Sequence, residues 1–202
     1  IGEMYKKELS ESIKILDNYV ANFLINPLWK NIGYKARDIL EVVKEHSWEY
    51  ISEETKDELI GISEGSNIDI NDIILVSLLP SLSKAHCTIL TDNNIFLRTL
   101  DVDLKGNRYA MFVYNNKYIT VTLPGMIWCF TGFSRNIVIG EVFNDNCITS
   151  RNKFGSPFFF NFKDILLKSE TLEEAKKLIE ELKWHDSVDI GIRSMKDDKI
   201  MF

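Results

Sequence analysis

Of 202 residues, three are cysteine, three are histidine and four are proline. Cys87, Cys129 and Cys147 stand at wide, irregular spacing, which gives neither a disulfide framework nor a metal-ligand set. No residue pattern points to a metal or a cofactor. An odd count of cysteines fits reduced thiols, one of them available for reaction; the chain leans cytoplasmic on this reading, with a secreted or lysosome-like setting left open. No apolar run reaches the roughly 20 residues that a helical membrane span needs. No basic cluster interrupts a formal charge of -6, so nucleic acid is not an expected partner. The chain begins at Ile1 rather than Met, as expected after removal of a signal peptide or leading segment, so the lack of a signal says little about compartment.

What remains is an ordinary globular composition, 45% hydrophobic and 27% charged, long enough to bury one core. Met4, Leu9, Ile13, Leu16 and Val20 recur at helical spacing and predict a helix over 3–25, stopped near Asn26-Pro27. A second helix is expected over Tyr34–Tyr50. A third should start at Ser52 as N-cap and end at Gly65-Ser66-Asn67, and a short fourth should run from Asp69 to Leu79, ended by Pro80. From Cys87 the character changes to strands. Arg108–Tyr114 and Lys117–Leu123 read as a hairpin, and Ile127–Phe130 and Ile137–Phe143 as further strands joined by 131–136. Phe158–Lys168 reads as a helix. Thr171 with Glu174 three residues on is a capping box for another, and Val188–Ser194 and Ile200–Phe202 are expected strands. Helices, strands, two helices and strands again give an α+β class.

The chemistry concentrates in Lys84–Asp101. Thr88–Thr91 and Ile95–Leu100 flank Asp92-Asn93-Asn94, which is turn chemistry, so the stretch reads as a hairpin. That pairing brings Cys87, Arg98 and Asp101 near one another. A thiol beside a cation can become a nucleophile. Arg98 could hold a substrate carbonyl or orient a carboxylate, and Asp101 could accept from an amine or thiol. Taken alone, Cys87 reads more readily as a small core residue than as a nucleophile. His86 is a poor partner for it, because adjacent strand residues face opposite ways. Cys129 and Cys147 read as core thiols, and His46 and His185 as residues at exposed helix ends. Phe158-Phe159-Phe160 and Trp128 read as core or as the lining of an apolar pocket.

Cys87-Thr88, a turn, then Arg98-Thr99-Leu100-Asp101 resembles the Cys-Thr … Arg-Asn-x-Asp signature of a group of N-terminal-nucleophile hydrolases. The group comprises the penicillin acyltransferase-like (C45) peptidase family, the choloylglycine hydrolases and acid ceramidase. Three further stretches resemble the first of these in the same order: Glu58–Ser66 with Ile70–Leu75, Pro124–Ser134, and Gly155–Ala175. The resemblance implies a four-layer αββα sandwich, incomplete at the C-terminus because the family usually carries more strands beyond the point matching Phe202. It implies self-cleavage between His86 and Cys87, which makes residues 1–86 a mostly helical propeptide and small chain, associated with a catalytic region over 87–202. It implies a self-processing cysteine amidohydrolase or acyltransferase acting on a small-molecule N-acyl amide, with Cys87, Arg98 and Asp101 catalytic. The chain departs from the family pattern where Thr99, Ser134 and Asp189 stand in place of Asn. Ser134 and Asp189 occupy the positions expected to serve the oxyanion or the substrate, and an ionised Asp189 could not donate there. Those departures keep a second reading open, a catalytically silent homologue with a binding or structural role.

Overall fold

A computed structural model of the chain describes residues 2–18, 36–82, 86–92, 95–101, 111–123, 125–143, 154–185, 188–196 and 199–202. The side chains of residues 15–18, 82, 86, 100, 101 and 143 lie outside that description, as do Cys147 and the end of the expected first helix.

The N-terminal part is helical. Helices α1 (Lys6–Asn18), α2 (Ala36–Ser47), α3 (Glu53–Ser66) and α4 (Ile70–Ser77) are followed by a 3-10 turn at Leu79–Leu82. The apolar α4 is the hub against which α1, α2 and α3 pack. Its Ile73, Leu75 and Val76 bury together with Leu9, Leu40 and Leu59. Asp69 caps α4 by accepting from the Asn71 backbone N–H at 2.8 Å. At the end of α3, Asn67 adopts a left-handed φ of 54° and closes the helix through its N–H. Ser52 is not the side-chain cap that its position suggests. Its hydroxyl instead donates to Asp164 at 2.9 Å, 112 residues away.

Among the described residues two antiparallel sheets follow. The first is a hairpin of β1 (His86–Thr91) and β2 (Phe96–Asp101). The second has six strands in chain order: β3 (Met111–Tyr114), β4 (Tyr118–Thr122), β5 (Thr131–Ser134), β6 (Ile137–Phe143), β7 (Val188–Ser194) and β8 (Ile200–Met201). Helices α5 (Phe158–Lys168) and α6 (Leu172–Glu181) are inserted between β6 and β7.

The strand expected at Ile127–Phe130 is displaced. Met126–Phe130 is buried on every residue and forms no ladder; the Cys129 N–H donates to the Phe159 carbonyl and the Trp128 indole to the Ser77 carbonyl. The strand is 131–134, which the sequence suggests as a connection. It pairs with β4 on one side and β6 on the other, and Arg135-Asn136 alone makes the turn.

Glycines mark what lies on each face of the larger sheet. A Cβ at Gly132 would strike Leu166 of α5 at 2.5 Å. A Cβ at Gly140 would instead meet Arg98 and Phe96 of the hairpin, both at 3.2 Å. One face therefore carries a helix and the other carries β1 and β2, in a mixed α+β architecture. Phe158, Phe159, Phe160 and Trp128 are buried core, stacked edge to face. His185 is also buried, against the expectation of an exposed helix end, because its segment bonds back to Ser156. His46 is half-buried and lies against the Phe154 ring. Among the described residues no helix is long and apolar enough to cross a membrane.

Candidate active site

Hairpin register sets the site. Cys87 pairs with Leu100 and Ile89 with Arg98, so Cys87, Ile89 and Arg98 share one face by strand alternation. Arg98 is the diagonal neighbour of Cys87, a spacing that a long side chain spans. Its Nη2 donates to the Cys87 Sγ at 3.1 Å. At the turn, the Asp92 backbone N–H donates to the Ile95 carbonyl, and the Asp92 carboxylate accepts from the Ile95 N–H. The Thr99 hydroxyl accepts from the Thr88 backbone N–H at 3.2 Å, a structural use of both threonines.

The guanidinium is held on three sides. Its Nε donates to the Glu141 carbonyl oxygen at 2.9 Å, and its Nη1 donates to the Thr131 Oγ1 at 3.2 Å. Its Nη2 forms an ion pair with the Glu141 Oε1 as well as touching the sulfur. The pair is deeply buried: the Arg98 side chain is 4% exposed and that of Glu141 0%. Two charges removed from water persist only when paired and hydrogen-bonded, which is the arrangement here. The Cys87 thiol donates to the Glu141 Oε1 at 3.7 Å and is half-buried. A thiol thus lies between a fixed cation, which favours the thiolate, and a carboxylate able to take its proton.

Of the residues expected from the sequence, the structure brings Cys87 and Arg98 into contact. The Asp101 backbone lies opposite His86 in the register; both side chains fall outside the described atoms. Ser134 is not brought to the thiol. It is three residues along β5 from Thr131 and so points to the other sheet face, and its hydroxyl accepts from the Asn136 and Ile137 N–H groups at the turn. Asp189 pairs with Val142 and is exposed, on the same sheet face as Gly191 and therefore on the hairpin side. Cys129 is a fully buried core thiol, and burial pushes its pKa up to about 12, which makes it unreactive.

Sequence reasoning missed Glu141 and Thr131. The signal for Glu141 was present: it is the one charge in Ile137–Phe143, an otherwise apolar strand, and a charge in such a run has to find a buried partner. Thr131 carried no comparable mark.

No protein-family model matches the chain. It is 24% identical over 194 residues to Protein dcd1A of Dictyostelium discoideum, an alignment covering 83% of this chain and 43% of that protein. The chain thus spans less than half the length of that relative.

Proposed function

We propose that the chain is a self-processing cysteine amidohydrolase or acyltransferase of the N-terminal-nucleophile type, acting on an N-acyl amide. The observation that carries the reading is the Arg98 guanidinium fixed between the Cys87 sulfur and the buried Glu141, with Cys87 on the strand that begins at the expected junction. In self-cleavage, Sγ gives its proton to Glu141 and attacks the His86 carbonyl carbon. The C–N bond to Cys87 breaks, its nitrogen takes a proton, and water hydrolyses the resulting thioester. The freed α-amine, with an ordinary pKa of about 8, then serves as the base for each turnover. Cys87 attacks the substrate amide, the amine leaves with a proton, and the acyl-enzyme passes to water or to another amine. The fold of such enzymes, an αββα sandwich, accords with a hairpin on one sheet face and α5 on the other.

A catalytically silent homologue is the second reading, favoured by the Ser134 hydroxyl turned to the far sheet face. The intact mass of the purified chain separates the two. Two fragments split between His86 and Cys87 are expected, and Cys87→Ala should leave one chain of 23.4 kDa. Splitting that persists in the Cys87→Ala variant would remove Cys87 as nucleophile, and a wild-type chain that never splits would favour the silent reading.

A further inference from the structure

The nucleophile hairpin lies on a place in the larger sheet that has no side chains. Gly140 of β6 and Gly191 of β7 are cross-strand partners and present the same face. Above them stand Arg98 and Ile89, themselves cross-strand partners in the hairpin. A methyl group on Gly140 would lie 3.2 Å from the Arg98 Cδ, and 3.2 and 3.3 Å from two ring carbons of Phe96. One on Gly191 would lie 3.0 Å from the Ile89 Cδ1 and 3.3 Å from the Phe202 ring. These separations are tighter than nearly all real Cβ contacts, so the neighbours would have to give by a few tenths of an ångström.

Arg98 has little room to yield. Its head is tied to the Glu141 carbonyl, the Glu141 carboxylate, Thr131 and Cys87 at once. A few tenths of an ångström gained at Cδ must therefore be lost at the guanidinium, where the bond to sulfur spans 3.1 Å. We infer that Gly140 and Gly191 are positioning residues, a paired glycine floor that sets the height of the hairpin and so holds the Arg98 guanidinium against the Cys87 sulfur. The inference rests on Cys87 being the working thiol of the proposed function. It concerns the environment of that thiol, whether or not the chain cuts itself.

The test reads the thiol directly. The rate of iodoacetamide alkylation at Cys87, followed on its own peptide by mass, is measured against pH in the full chain and in Gly140→Ala. A guanidinium displaced from sulfur favours the thiolate less, so the Gly140→Ala profile should move up by about one pH unit, or about tenfold slower labelling at neutral pH. Gly191→Ala should shift the profile the same way, and Gly191→Ala with Ile89→Ala, which removes the hairpin atoms that the added methyl group meets, should bring it back. A folded Gly140→Ala variant with the wild-type profile overturns the inference. Should Gly140→Ala fail to fold, the Gly191→Ala pair decides: no shift in the single variant, or no recovery in the double, overturns it. A wild-type chain that stays whole would count against self-processing while leaving this test readable.

Discussion

Cys87 and Arg98 meet because a hairpin places residues eleven apart on one face, and such a relation is legible in sequence. Glu141 was not legible as their partner, because nothing local connects β6 to the hairpin. At this scale the expected outcome concerns the buried ion pair. Glu141→Gln keeps the shape but leaves the Arg98 charge, 4% exposed, without its counter-ion. Removing one partner of a buried pair costs about 3 kcal/mol or more. Urea unfolding should therefore show a clear loss of stability, and on the proposed function self-cleavage should be slower on the same samples. A variant as stable as the parent would mean that the pair is not integral to the fold.

The elements divide along the same line. The α6 start was legible because its chemistry is confined to four residues. Thr171 accepts from the Glu174 N–H at 3.2 Å, and the Glu174 carboxylate accepts from the Thr171 N–H at 3.3 Å. Thr171→Ala should cost about 1 kcal/mol in urea unfolding with the fold unchanged. Met126–Phe130 was misread for the opposite reason. Its apolar residues look like a buried strand, but periodicity does not tell core packing from a ladder. The Trp128 and Cys129 contacts with α4 and α5 decide it, and they come from 51 and 30 positions away, intervals that follow from Ser77 and Phe159. Ser52 shows the same limit, since its bond to Asp164 spans 112 residues.

For the molecule as a whole, α5 holds the helical N-terminal part to the sheet through part-buried polar contacts. Lys163 pairs with Glu58, and Asp164 accepts from Ser52. Burial raises the Asp164 pKa, opposed by the Ser52 hydroxyl bond and by Lys168 and Lys163, while Glu54 adds to the rise. The native state therefore holds this proton more tightly than the unfolded chain does. Its contribution to stability is complete below the ordinary carboxylate value and is lost as pH rises through the raised one. Melting temperatures measured across the acidic range should show that loss, and Asp164→Asn should flatten it; an unchanged slope would place the titration elsewhere. The α+β class and the helix-then-strand division were readable from periodicity, since each segment repeats its own pattern. The stacking of the hairpin on β6 and β7 was not, because two glycines specify it by what they omit.

The Arg98–Glu141 bond also orders events in time. It spans 43 residues, and the strand that bears Glu141 takes its next partner from β7, beyond two helices. Contacts so distant in sequence form late, because long loops must close before they are rewarded. A chain emerging from the ribosome would thus carry Cys87 and Arg98 without their carboxylate partner until the sheet closes, and the proposed reactivity would arise with completion of the fold that contains it.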